Sequence, residues 1–285
     1  MNNNLFIVIA ASAIYYGTPL FLAALGEVIT ERSGVLNLGV EGMMLLGAVA
    51  ASGTASNVSG PGWWVLTVSI LAAMLAAGLG ALLHAFATIT LRVNQTVSGL
   101  ALTILAGGAG LSSYLANLWE LEKAPVQFEK FDVLGLKDAP IVGPILFNQN
   151  ALTYLSWVLA VVASWYLFRT RPGLHLRAVG ESPQSADAVG INVVRYRYVH
   201  TVAGGALAGI GGAFVSLAIN TTWADGMTSG QGWIAIALVI FGFWRPDLTL
   251  AGAYLFGAFT SLSFTLQERG VKVAPQVLDS LPYVM

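Results

Sequence analysis

The chain has 285 residues, of which 56% are hydrophobic and 9% charged, with a mean hydropathy of +0.73 and a net charge of −1. A soluble domain carries roughly 25% charged residues, so lipid is the solvent for most of this chain, and the near-neutral balance excludes the basic face a nucleic-acid partner needs. There is no cysteine, hence no disulfide framework and no thiolate metal site, and His84, His175 and His200 are too scattered for a zinc motif.

A membrane span needs about 20 mostly apolar residues. In chain order, 5–25 is the first such segment. No Lys or Arg precedes Arg32, so this is a retained span rather than a cleaved leader with a positive start. Segment 35–56 is apolar but carries Asn37, Glu41 and several glycines. Segments 63–90 and 96–118 follow, then 151–168, 198–219 and 248–266. The apolar stretch 233–244 has only 12 residues, too few to cross alone, so it is broken, tilted or re-entrant. These segments predict an all-α polytopic transmembrane bundle of about eight or more membrane segments, with broken helices, in one domain over 1–285. Gly-broken 35–56 and Gly-punctuated 225–244 occupy similar places in two pseudo-symmetric halves, a layout that points to a midplane transport site.

Basic residues set the orientation. The loop 169–197 holds Arg169, Arg171, Arg177, Arg195 and Arg197 and is expected inside. The loop 119–150 mixes Lys123, Lys130 and Lys137 with Glu120, Glu122, Glu129, Asp132 and Asp138 and is expected outside. Arg32 and Arg92 then fall inside, and alternation puts the N-terminus outside. The glycines of AGGALAGIGGAF, 203–214, read as close helix packing, because small residues let helices approach in lipid.

No P-loop and no HExxH motif occurs, so the chain offers no ATP-hydrolysing loop and no zinc-protease site of its own. Three features could carry function. In ERSGVLNLGVEGMMLLGAVAA, 31–51, Asn37 and Glu41 are four apart and share a helix face. A polar residue within a span must pair or face a water-filled cavity, so they either bond a polar solute or clamp a neighbouring helix. In RTRPGLHLRAVGESPQSADAVGINVVRYR, 169–197, Ser182 and Pro183 form an N-cap and first turn of a short helix ending near Gly190. That helix either docks in a groove of another protein or lies on the lipid headgroups. In TTWADGMTSGQGW, 221–233, Trp223 and Trp233 can stack on a flat or sugar-like ligand or belong to the interfacial aromatic belt. Asp225 and Gln231 can hydrogen-bond such a ligand, and Gln231 precedes the broken segment.

Three stretches, GEVITERSGVLNLGVEGMMLLGA (26–48), LRAVGESPQSADAVGI (176–191) and GWIAIALVIFGFWRPDLTLAGAYLFGA (232–258), together resemble the membrane permeases of bacterial ABC importers. The branch is the one that serves ribose, other simple sugars, branched-chain amino acids and nucleosides, and GVLNLGVEGMM is most similar to the nucleoside permeases. The resemblance runs in order over nearly the whole chain. It implies a multi-pass subunit of the bacterial cytoplasmic (inner) membrane that catalyses no covalent step and holds no cofactor or metal, ATP being bound by a separate cytoplasmic ATPase subunit. Residues 176–191 would be the coupling segment, with Glu181, Ala186 and Gly190 at its recurrent acidic, small and glycine positions beside Ser182 and Pro183. Asn37, Glu41 and Gln231, with Trp233 and Trp223, would line the solute path. The partners implied are the ATPase, a second and different permease, an extracytoplasmic solute-binding protein and membrane lipid. The same machine carrying ribose or another simple sugar is the nearest alternative, and an ion-coupled secondary transporter using Glu41 is a more distant one. DSLPYVM, 279–285, stands where such permeases begin another apolar span, so a further helix or a different tail is expected there.

Overall fold

The computed structural model describes residues 5–107, 110–122, 124–133 and 135–268; Lys123 and the DSLPYVM stretch lie outside them. Eleven helices are present among the described residues: α1 (Leu5–Glu31), α2 (Val40–Asn57), α3 (Gly62–Ala85), α4 (Gln95–Ala106), α5 (Leu111–Leu118), α6 (Ala151–Arg169), α7 (Arg171–Glu181), α8 (Pro183–Ala188), α9 (Val193–Phe214), α10 (Gln231–Phe241) and α11 (Pro246–Glu268). Helices α3 and α9 each run on into one wide π turn, Phe86–Thr90 and Val215–Ile219. A small antiparallel hairpin, β1 (Lys130–Asp132) and β2 (Asn148–Asn150), pairs Lys130 with Asn150.

Among the described residues, six helical stretches are long and apolar enough to cross a membrane: α1, α3 with its π turn, the α4–α5 stretch, α6, α9 with its π turn, and α11. The polytopic helical bundle expected from the sequence is present, and six of its expected eight or more segments meet that measure of length and composition. The difference lies in two interrupted segments. The stretch 35–56 does not begin as helix: residues 35–37 take no regular structure, and α2 starts only at Val40. The stretch 233–244 is α10, 11 residues long, or roughly 16 Å at 1.5 Å per residue. The basic stretch 169–197, expected as a loop with one short helix, holds two helices, α7 and α8.

Helix α9 is the hub, buried on nearly every side from Gly204 to Phe214. It runs antiparallel to α1 and α3 and parallel to α2, and the contacts are backbone to backbone. A Cβ at Gly204 would overlap the Gly26 carbonyl of α1 and the Thr30 hydroxyl, one at Gly209 would overlap Ala73 and Ala77 of α3, and one at Gly47 of α2 would overlap the Gly209 backbone. In lipid, where burying apolar surface gives no net drive, such close approach is the main source of helix association. Because α3 and α9 are antiparallel, their terminal π turns lie at opposite ends of the bundle.

The test is direct. Gly204→Ala should force α1 and α9 apart at a cost of about 1–3 kcal/mol, seen as a thermal midpoint lower by several degrees in detergent. An unchanged midpoint would show that the two backbones do not meet there.

At the end where α9 finishes, residues 122–128 lie beside 217–223 through backbone bonds. Ala124 N–H donates to Thr221 O at 2.7 Å, Phe128 N–H to Leu217 O at 2.9 Å, and Trp223 N–H to Glu122 O at 2.7 Å. The Lys130 ammonium sits 4.9 Å from the Tyr15 ring centroid, and its burial lowers the Lys130 pKa from the usual lysine value. This cap closes one end of the bundle; Arg32, Arg177 and Arg245 gather at the other.

Candidate functional site

The two interrupted segments meet inside the bundle. After α1 the chain turns at 32–34 and runs non-helically through 35–39 before α2 begins. In a membrane such backbone must be satisfied by protein, and here side chains from three helices do it. Asn37 N–H donates to Glu27 Oε1 of α1 at 3.0 Å, and Leu36 N–H to Gln95 Oε1 of α4 at 2.8 Å. The Thr103 hydroxyl of α4 donates to Leu38 O at 3.2 Å. His84 Nε2 of α3 lies 3.1 Å from Leu36 O. That carbonyl can only accept, so Nε2 carries the proton, and Nδ1 accepts from the Ser98 hydroxyl at 3.0 Å.

Asn37 itself is buried. Its Oδ1 accepts from Gly39 N–H at 3.0 Å, a local turn that starts α2, and its Nδ2 faces Met43 Sδ at 3.3 Å. Glu41 stands in the first turn of α2 and reaches across to α10. Its Oε1 accepts from the Thr228 hydroxyl at 2.6 Å and Gly230 N–H at 2.9 Å, and its Oε2 from Gly232 N–H at 2.7 Å. Gly230 takes a left-handed φ of +84°, and a Cβ at Gly232 would overlap the Glu41 backbone, so glycines on both sides of Gln231 let α10 close on the carboxylate. The N-termini of α2 and α10 thus converge on one anionic group. Each carries roughly half a positive charge, so one carboxylate balances the pair.

Gln231 opens α10 beside this clamp. Its side chain lines a cavity of about 360 Å³ with Tyr16, Asn220, Ser229, Phe256 and Thr260. Its Oε1 is buried and has no hydrogen-bond partner among the described residues. The volume falls in the range of roughly 300–1,000 Å³ found for small-molecule sites, and aromatic walls with a few polar groups are their usual lining. Trp223 does not line the cavity: its indole donates to Asp225 Oδ1 at 3.2 Å and its ring packs on the core. Trp233, 39% exposed, points outward from α10. The structure therefore sets Gln231 beside the Glu41 clamp, holds Asn37 in the turn that starts α2, and leaves both tryptophans outside the cavity. Tyr16, Phe256 and Thr260 have no sequence signal, since each is a single residue in an apolar span. Thr228 and His84 had one, as lone polar groups in a Gly-rich loop and a span.

A second constellation lies at the arginine end. Thr170 Oγ1 caps α7 by accepting from Gly173 N–H at 3.1 Å, and Ser182 caps α8 with Pro183 in its first turn. Helix α8 ends in a Schellman closure. Gly190 N–H donates to Asp187 O at 2.9 Å and Ile191 N–H to Ala186 O at 3.0 Å, with Gly190 at φ +83°. Ala186 is buried, Glu181 is exposed, and Val189 at the tip is 76% exposed. This unit touches the start of the interrupted segment. A Cβ at Gly180 would overlap Arg32 O, and Arg197 Nε donates to Ser33 O at 3.3 Å. Arg32 in turn donates to Trp244 O at 3.1 Å, between α10 and α11. The turn 32–34 is thus held by α7, α9 and the α10–α11 turn together.

Comparison with known proteins gives one family model over residues 9–284, described as the permease component of branched-chain amino acid transport systems. The chain is 41% identical to the putative glucose ABC transporter permease protein TsgC13 of Haloferax volcanii, over 93% of this chain and 79% of the relative. It is 39% identical to the guanosine ABC transporter permease protein NupQ of Bacillus subtilis, over 90% and 82%. It is 37% identical to the nucleoside ABC transporter permease protein NupC of Lactococcus lactis subsp. cremoris, over 97% and 89%.

Proposed function

We propose a role from a premise: this chain belongs to the family of permease components of branched-chain amino acid transport systems. It is a multi-pass protein of the cytoplasmic membrane, a transport component rather than an enzyme. The cargo we infer is a nucleoside, moved through an importer whose ATP is bound and hydrolysed by a separate subunit. Two of the relatives are named for nucleoside or guanosine transport, and the string GVLNLGVEGMM is of the nucleoside kind.

The observation that carries the reading is the cavity at Gln231 beside two helix N-termini, lined by a side chain whose buried amide oxygen has no partner among the described residues. That oxygen can accept from a base N–H or a ribose hydroxyl, and Tyr16 or Phe256 can stack on a base. Asn37 and Glu41 shape the path rather than touch solute, because their polar atoms are already engaged. Trp233, exposed one turn into α10, faces the seam with a second permease, a paralogue in a heterodimer, and Trp223 steadies the mouth. Residues 119–150 form the extracytoplasmic cap that receives the loaded binding protein. Residues 169–197 lie in the cytoplasm, where α8 docks on the ATPase with Glu181, Ser182, Pro183, Ala186 and Gly190. Counting α2, 18 residues long, and the half-length α10 with the six longer helices, the membrane segments number eight. Movement at α8 passes through α7 to turn 32–34, then through 35–39 to Glu41 and α10, changing the affinity for solute between two states. An ion-coupled carrier would need a carboxylate open to the path, and Glu41 is closed in by Thr228, Gly230 and Gly232.

The relative named for glucose supports a second reading, the same machine carrying a simple sugar. Uptake of labelled guanosine and adenosine, with and without this chain and with excess unlabelled ribose, separates them. Chain-dependent nucleoside uptake that ribose does not suppress is expected, and Gln231→Ala should reduce it at equal chain level. Uptake of neither nucleoside, with chain-dependent uptake of labelled glucose or ribose, would establish the sugar reading.

A further inference from the structure

We propose that the groove between α6 and α11 binds an anionic phospholipid of the leaflet at the arginine end. This groove, about 740 Å³, is the larger of the spaces described and lies apart from the Gln231 cavity. Its floor is made of small residues of α6, Ala160 and Ser164, and its far wall is Leu250 of α11. From Ala160 to Arg169 it follows nine residue steps, roughly 14 Å, the length of about ten methylenes of an acyl chain. Its rim is the outward face of α6, where Val161 is 69% and Trp165 60% exposed. Nothing in that face suits water, and a tryptophan near the end of a span is the usual anchor at headgroup level.

The arginine end of the groove has an excess of positive charge. Arg245 pairs with Asp247 at 2.8 Å, and this is the one ion pair among the described residues. Arg169, at the mouth, has neither an ion pair nor a hydrogen bond there. Phe168 lines the groove and carries two more guanidinium groups against its ring, Arg177 at 5.3 Å and Arg32 at 6.0 Å from the centroid. The Arg177 Nε is buried without a partner. Burial, and then the charge of Arg177, lower the Arg32 pKa from the usual arginine value, while Glu181 acts the other way. Guanidinium forks fit phosphate oxygens, and basic pockets between helices on the cytoplasmic side are where anionic headgroups bind. The combination specifies the ligand class. A free phosphate would make no use of an apolar trough about 14 Å long, and a neutral lipid would leave the arginines unmatched.

The test uses the assembled importer in a neutral detergent, titrated with dioctanoyl-phosphatidylglycerol while its thermal midpoint is followed. Phosphatidylglycerol should raise the midpoint, whereas dioctanoyl-phosphatidylcholine and inorganic phosphate should not. Combining Arg169→Gln with Arg245→Gln should weaken the apparent affinity about tenfold or more. Val161→Trp, which fills the trough at an exposed position and leaves the charge alone, should weaken it as well. Arg92→Gln, a basic residue outside the groove, should leave it unchanged. Equal stabilisation by phosphatidylcholine would reduce the groove to an apolar filler site, and equal stabilisation by phosphate would reduce the arginines to a free-anion site; either overturns the proposal. So would a Val161→Cys chain, otherwise free of cysteine, that a short thiol-to-amine crosslinker joins in membranes to the second permease, because the groove would then be a protein interface.

Discussion

Replacing Glu41 with alanine is expected to stop uptake and to lower the thermal midpoint of the assembled transporter. The substitution strands the Thr228 hydroxyl and the N–H groups of Gly230 and Gly232 in a site from which the side chain excludes water. A buried donor left without its acceptor costs about 1–3 kcal/mol. Neighbouring losses do not add fully, so the total should be on the order of 4 kcal/mol, or roughly 10 °C in the midpoint. Glu41→Gln should fall between, since its amide keeps one acceptor but turns an N–H₂ toward an existing donor. Measuring stability and uptake on the same preparation separates the possible roles. Lost uptake with an unchanged midpoint would mean that Glu41 acts on the solute rather than on α10. Full uptake with an unchanged midpoint would dismiss the contact altogether.

Gly190→Val is expected to disconnect ATP hydrolysis from uptake while leaving the membrane bundle intact. Gly190 sits at φ +83°, where an L residue is strained by about 1–2 kcal/mol, and a β-branched side chain fits worst. A Cβ there would meet no atom within 4 Å, so the strain acts only on the backbone of the Schellman closure. Rewinding that closure would move the exposed Val189 and the half-buried Ile191 and so alter the face that α8 offers the ATPase. Couplings between sites are typically about 1–3 kcal/mol, or roughly 5- to 150-fold, and uptake should drop within that range. ATPase activity in the assembled complex should lose its dependence on loaded binding protein. Gly190→Asn, which tolerates the left-handed region, should restore part of the uptake. Normal transport by the valine variant would remove α8 from the coupling route.

Much of the architecture was legible because long apolar runs have few alternatives in lipid. The segments at 5–25, 63–90, 151–168, 198–219 and 248–266 all correspond to long helices. The interruption at 35–56 was visible in Asn37, Glu41 and their glycines, although not the residue at which helix would resume. Helix α7 was hidden by its own charge. In RPGLHLRAVGE the arginines mark a loop side by count, while Thr170 caps the start and Leu176 and Val179 bury the inner face. The partners of Glu41 were invisible for a different reason. Two of its three donors are backbone N–H groups about 190 residues away, and a backbone donor leaves no trace in residue type. The cavity lining fails on the same ground, being assembled from single side chains of α1, α10, α11 and the segment ahead of α10 that belong to no shared motif.

The glycine-to-backbone contacts of α9 have a mechanical consequence. Where two main chains touch, no rotamer can swing to absorb a displacement, so α1, α2, α3 and α9 behave as a shaft that turns or tilts only as one piece. Compliance must then reside in joints around that shaft. The backbone marks where they are: Ser229 ahead of α10, and Phe243 and Trp244 behind it, all adopt positive φ without being glycine. Conformations that uncommon store energy which a change of state can release. Helix α10 carries such a joint at each end, and the Gly232–Glu41 contact is its tie to the shaft.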